Sequence, residues 1–233
     1  WEGAIDMDGS GSIHVGEGAV IAGNKSKDLG GGIHADLQNR GTLRITVEEG
    51  SVIAGNECSG KGGGISITGA QLTINGGSIC SNEAKTDGGG INVNTGTLTL
   101  NGGSVTNNYA TNGGGGIHVN GSLDMSGGVI AGNTAGWAGG GLYISQADSG
   151  TISGGIIASN RARAEGGGIR LNTGHVIMEA ANETWNLIYI TNNTTICNTG
   201  NNQDWGGGGI FISDNKGQMT IYDSVVTKNT ARG

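Results

Sequence analysis

Residues 6–17 read DMDGSGSIHVGE, which matches the ligand pattern of a helix–loop–helix calcium site. Asp6, Asp8 and Ser10 fall at the first three ligand positions, Gly11 at the sharp turn, and Glu17 at the bidentate twelfth position. The pattern needs a helix on either side. Gly16 and Gly18, which bracket Glu17, argue against an exiting helix. Asp6 and Asp8 therefore remain as the candidate for a calcium site on a turn, and the sequence implies no other cofactor.

Aromatic residues make up only 4% of the chain, so their positions are informative. Trp1, Trp137 and Trp205 each stand just before a glycine run, with Tyr109 near the same corner and Tyr143 just after one. Trp185 lies in the longest irregular stretch, between His175 and Asn198. Exposed indoles and phenols stack well on sugar rings, which makes Trp137, Trp205, Tyr109, Trp185 and Tyr143 the candidate ligand-binding residues. Acid–base cleavage of a glycan calls for two or three neighbouring carboxylates. The residues that follow the glycine runs form the row Asp6, His34, Ser66, Asn92, His118, Tyr143, Arg170 and Phe211, with one acid at its end. A second outward row, read as His14, Arg44, Thr73, Thr99, Asp124, Ser153 and Thr220, also lacks a carboxylate pair. No catalytic residue is assigned on this basis. Cys58, Cys80 and Cys197 are odd in number and widely spaced, as expected of small space-filling residues rather than of a disulfide or zinc framework.

A repeat positions all of these residues. A glycine run followed by an aliphatic residue ends at Ile5, Ile33, Ile65, Ile91, Ile117, Leu142, Ile169 and Ile210. An aliphatic residue three places before an asparagine recurs at Asn24, Asn56, Asn82, Asn108, Asn133, Asn160 and Asn229, with Asn198 taken as the remaining member. Between the two lies an alternating run such as TLTL at 97–100. Nine residues separate each of the first six asparagines from the next aliphatic anchor, whereas Asn198 to Ile210 is twelve. The repeat is about 26 residues long, and alternation of period two indicates strands. Repeats of this length bury an apolar face only by stacking. The sequence predicts an all-β fold: a right-handed, single-stranded parallel β-helix of about eight coils, three short strands per coil, forming one domain over 1–233. The eight asparagines are expected to stack as an amide ladder inside a turn.

Composition agrees with a stacked solenoid. The chain has 233 residues with 51 glycines and no proline; proline would remove a ladder N–H at nearly every strand position. Its net charge of −7 argues against nucleic acid and anionic membrane surfaces as partners. No apolar run approaches the roughly 20 residues of a membrane span.

The paired signatures resemble the GGA[ILV] and FxxN repeats of chlamydial polymorphic outer-membrane proteins, and more loosely the β-helical passengers of bacterial adhesins. Gly3-Ala4-Ile5 keeps the family's alanine; the other anchors read GGG, and Ile53-Ala54-Gly55-Asn56 carries isoleucine where the family has phenylalanine. The resemblance implies a bacterial, secreted or surface-displayed rod, extracellular in location; the ends, which show no capping helix or polar cap, are expected to continue into further coils. Its partners would be a glycan or a host or bacterial surface protein, and its role non-catalytic adhesion. The alternative is a carbohydrate-active β-helix enzyme, a polysaccharide lyase or glycoside hydrolase.

Overall fold

The computed structural model describes residues 3–38, 41–181, 187–196, 206–213 and 216–232. Among these residues every regular element is a β-strand. The strands stack into three parallel sheets of 12, 8 and 8 strands. Each sheet collects the same part of successive repeats, an arrangement consistent with a parallel β-helix.

The strands are distributed differently from the three-per-coil expectation. The glycine-anchored run and the alternating run that follows it belong to one sheet. In the middle of the molecule they merge into single long strands, Ile65–Ile74, Ile91–Leu100, Ile117–Met125 and Leu142–Ile152. The run before each asparagine makes the second sheet, for example Ser78–Cys80 and Ser104–Thr106. The third sheet consists of two-residue strands after the asparagine, such as Glu83–Ala84 and Tyr109–Ala110. Two residues are too few to show any period, so this sheet had no signature in the sequence.

Register along the anchor row is one to one. The anchor row runs Ile5, Ile33, Ile65, Ile91, Ile117, Leu142, Ile169, Ile210, each residue beside the next. From Ile33 to Ile169 these side chains have no exposed surface, and the rows through Val93, Leu98, Leu100 and Val105 join them in one continuous core. The second outward row needs correction at three places, one being Ile177, which stands between Thr151 and Thr220. His14 stands beside Thr46 rather than Arg44, and Asp124 beside Thr151 rather than Ser153. Arg44 and Thr46 lie two residues apart on the same face, so alternation alone does not tell them apart.

The corners account for the glycines. At Gly88 the backbone is left-handed, with φ of 68°, and a Cβ would lie 2.4 Å from the Ile91 carbonyl oxygen. A Cβ at Gly89 would lie 2.3 Å from Gly115 O and 2.4 Å from Tyr109 O, both on the next turn of the chain. The glycine run is the place where one turn's backbone rests directly on another's.

Against the last glycine of each run lies the asparagine ladder, a Cβ at Gly90 falling 3.0 Å from Asn108 Nδ2. The Asn82 side-chain amide donates to Asn108 Oδ1 at 3.0 Å and to the Ile53 carbonyl at 3.0 Å, and the Asn82 backbone N–H donates to the same Asn108 oxygen at 2.9 Å. Asn108 repeats the pattern onto Asn133. Each amide thus uses both donors and both acceptor directions while buried. The ladder runs from Asn24 through Asn56, Asn82, Asn108, Asn133 and Asn160 to Asn193 and Asn229. The member expected at Asn198 is Asn193, which stands three places after the core residue Ile190; Asn198 lies outside the described residues. The extra length of this repeat therefore follows the asparagine, with 17 rather than nine residues between Asn193 and Ile210. The residue before each ladder asparagine is left-handed, at Gly23, Gly55, Ser81, Asn107, Gly132, Ser159, Asn192 and Lys228.

Cys58 fills the small inward position held by Ala84 and Ala110 in later strands. Burial pushes its thiol up to about 11, as for an inert packed cysteine. Cys80 is half-buried on the outward side of the second sheet, and Cys197 lies outside the described residues.

Two substitutions separate the corner's requirements. Gly89→Ala forces a methyl group into backbone and is expected to cost about 3 kcal/mol, whereas Gly23→Ala, with a φ of 70° but open space around it, should cost about 1 kcal/mol. Asn108→Asp replaces two buried donors with a charge facing the Asn133 oxygen and should cost about 3–5 kcal/mol. Urea denaturation of the three variants measures all of these.

Candidate functional site

The outward row after the glycine runs is in the expected register, with Asp6, His34, Ser66, Asn92, His118, Tyr143, Arg170 and Phe211 side by side in that order. Its middle lies beside a groove of about 470 Å³ along the junction between this sheet and the glycine corner. Lys61, Asp87, Asn112 and Trp137 line the corner side. His118, Asn120, Tyr143, Ser145 and Gln146 line the sheet side.

The groove depends on two small residues. The position before the glycine run is Lys61, Asp87, Gly113, Ala138 and Glu165 in successive repeats. A Cβ at Gly113 would lie 2.3 Å from Tyr143 Cδ1, so the tyrosine ring occupies the space that a side chain would need there. The Tyr143 ring lies 5.1 Å from His118 and meets Trp137 edge-on at 6.2 Å and 83°. Arg170 completes the group, its guanidinium 4.6 Å from the Trp137 ring and 4.8 Å from the Tyr143 ring. Its Nε donates to Glu165, while Nη1 is buried without a protein partner. Stacked cation–π contacts and the Glu165 ion pair hold Arg170 in place, and Arg170 in turn props the two aromatic rings. Trp137 is 38% exposed, enough to present an indole edge to the groove. Burial raises the Tyr143 phenol above its usual range despite the nearby Arg170.

The electrostatics of the groove centre on His118, which is 4% exposed. Its Nδ1 lies 2.8 Å from Asn92 Oδ1 and its Nε2 lies 3.0 Å from Ser145 Oγ. The Asn92 amide nitrogen donates to Ser66 Oγ at 3.2 Å, which turns its oxygen toward the imidazole. A hydrogen on Nδ1 with Nε2 as acceptor satisfies both contacts. Burial pushes this imidazole down to about 4; Asp87 opposes the shift and Lys61 adds to it. Lys61 and Asp87 face each other at 3.4 Å, and Asp87 also accepts the Gly113 N–H.

The ligand-binding candidates divide. Trp137 and Tyr143 share the groove. Tyr109 does not; it projects from the third sheet beside a separate hollow with Thr111, Arg161 and Arg163. Trp185, Trp205 and Trp1 lie outside the described residues. Asp6 and Asp8 do come together, joined by His34 rather than by Glu17. Their ligand atoms lie within 4.8 Å of one another, and His34 Nδ1 is 2.8 Å from Asp6 Oδ1. Asp6 and Asp8 lie in the strand Ile5–Asp8, and Ile13 in the strand Gly11–Val15, so the calcium-loop pattern is a product of the repeat. A nitrogen donor in the set suits a transition metal better than calcium.

Sequence reasoning missed Lys61, Asp87, Ser145 and the joining role of Arg170. One signal was available: the run at 113–116 has four glycines where the preceding anchor has three, and the extra one is Gly113. In comparisons with known proteins, no family model, curated protein or solved structure matches the chain.

Two outcomes test this geometry. The folded imidazole of His118 titrates well below an ordinary histidine, so the unfolded chain binds the extra proton first. Stability contributed by neutral His118 is complete above about pH 6.5 and falls as pH drops toward 4, by up to about 1.4 kcal/mol per pH unit; the His118→Gln variant should show a shallower loss in urea melts across that range. Gly113→Val should expel the Tyr143 ring, seen as increased tyrosine exposure in second-derivative absorbance.

Proposed function

We propose that this chain is a right-handed parallel β-helix of eight coils, displayed outside the cell as an adhesive rod that holds glycans in the groove between Trp137, Tyr143 and His118. The right hand follows the general preference of parallel β connections. The observation that carries the reading is the pairing of an exposed indole with a tyrosine, held by Arg170, over a trough of hydrogen-bonding groups. Aromatic faces take the C–H surface of a sugar while Lys61, Asp87, Asn112, Asn120 and Gln146 meet its hydroxyls. The rest of the rod is a rigid spacer whose register comes from the corner and the ladder.

Cleavage of glycosidic bonds is not part of this reading. That chemistry uses two carboxyl groups about 5–10 Å apart, and Asp87 is the single carboxylate among the described residues of the groove. Asp87 is moreover engaged by Lys61 and the Gly113 N–H. A glycan array followed by calorimetry on the best binder tests the proposal. Trp137→Ala and Tyr143→Ala should each weaken binding about tenfold, roughly 1.4 kcal/mol, with Tyr109→Ala unchanged. Equal affinities across the set would remove the groove from the function.

A further inference from the structure

Ser145 occupies an irregular place in its strand. Val119 pairs with Ile144 and Asn120 with Gln146, which leaves Ser145 as an extra residue in a bulge. Bulges re-aim side chains and are frequent beside active sites. Here the bulge carries Ser145 Oγ to 3.0 Å from His118 Nε2, on the wall of the groove. The same histidine holds its Nδ1–H on Asn92 Oδ1 at 2.8 Å, and Ser66 fixes the Asn92 amide. Nucleophile, base and orienting acceptor are therefore aligned in one chain; Ser145 Oγ also lies 3.3 Å from the Val119 carbonyl, and a hydrogen on His118 Nδ1 leaves Nε2 free to take the serine proton.

We propose that Ser145, His118 and Asn92 form an acyl-transfer site that removes short O-acyl groups, acetyl above all, from saccharides seated in the groove. This inference rests on the glycan-binding reading for its substrate class. Ser145 and His118 are the catalytic residues and Asn92 is a positioning residue. Ser145 Oγ bonds to the ester carbonyl carbon and its proton passes to His118 Nε2. The carbon–oxygen bond to the sugar breaks, and the sugar oxygen takes the proton and leaves as a free hydroxyl. Water then attacks the acyl carbon, gives its proton to His118, and the bond to Ser145 Oγ breaks, returning the proton to serine and releasing the carboxylic acid. Lys61, Asn112 and Asn120 bring N–H donors to the same groove, the kind of group that stabilises the tetrahedral oxyanion. Ester cleavage needs no carboxylate pair, so the lone Asp87 is no obstacle.

The pH profile is distinctive. Lys61, Asp87 and Tyr143 are the titratable groups facing His118, with Arg170 behind the tyrosine. Burial outweighs them and holds the imidazole near 4, so its lone pair is available down to that pH. The acid limb of the rate profile should lie near pH 4, about two units below an ordinary histidine base.

The test combines labelling and turnover. The protein is treated with diisopropyl fluorophosphate and the modified peptide is mapped. Hydrolysis of 4-nitrophenyl acetate and acetate release from acetylated xylo-oligosaccharides are followed in parallel, with glycan binding measured separately. The expected result is a label on Ser145, lost in Ser145→Ala together with at least about a hundredfold of turnover, while glycan binding persists. Asn92→Asp should move the acid limb of the remaining turnover to higher pH, a change that a merely structural hydrogen bond would not produce. A label elsewhere, turnover unchanged in Ser145→Ala, or no label and no turnover in the wild type would overturn the proposal; in the last case, intact glycan binding would leave the adhesive reading standing. Ester cleavage at Ser145 without binding of deacylated glycans would support the acyl-transfer site and remove the adhesive reading instead.

Discussion

The structure depends on a backbone contact that no side chain could occupy. At Gly88–Gly90 one turn of the chain lies directly on the next, with a hypothetical Cβ on Gly89 only 2.3 Å from Gly115 O. Because the contact is between backbones, it fixes how each turn sits on its neighbour to within a fraction of a residue. A shift of one residue would turn every core side chain outward. The asparagine ladder locks the same register from the other end of the short arc. Its amides can be satisfied only when each oxygen meets both the backbone N–H and the side-chain nitrogen of the neighbouring asparagine. Two rigid features nine residues apart leave little freedom between them, and loop length varies chiefly elsewhere.

Fixed register makes every outward row a stack of side chains at strand spacing, roughly 4.8 Å. Most of these rows mix residue types, as in Val52, Ser78, Ser104, Val129 and Ile156 of the second sheet. In the row through Asn92 the fixed spacing lets Ser66, Asn92 and His118 pass hydrogen bonds from turn to turn. The same spacing lets a tyrosine, a histidine and an arginine pack against one another without any loop to hold them. Chemistry in this fold is therefore built across turns, from residues about 26 apart in sequence, and the corner row beside it decides whether there is room for a ligand.

This explains what could be read from the sequence. The anchors, the ladder from Asn24 to Asn160 and the row from Asp6 to Phe211 all follow from a short word repeated at fixed intervals, and each is visible as letters. The ladder member after Asn160 carries the signature too, with Ile190 three places before Asn193, but the 17 residues from there to Ile210, against nine elsewhere, point to Asn198 instead. Thr46 and Arg44 were confused because they share a face. The groove was illegible for a different reason. It arises from what Gly113 and Ala138 lack, and a missing side chain has no signature of its own in a chain with 51 glycines. Trp137 and Tyr143 were identified as candidates by type, but Arg170, which joins them, looked like any other polar residue in its row.

The candidate site lies where the repeat is broken. Gly113 adds a fourth glycine to its run, Trp137 stands where neighbouring repeats carry Asn112 and Ala164, and Ser145 is an inserted residue in a bulge. A perfect solenoid satisfies each polar group with the equivalent group of the next turn, so it presents a uniform and chemically indifferent face. A departure costs stability locally, and it persists where the neighbouring turns compensate for it. Here they do: His118 is held by hydrogen bonds to Asn92 and Ser145, and Arg170 by Glu165 and two aromatic rings. Three departures within two adjacent turns converge on one groove, where the plain repeat would leave a uniform face.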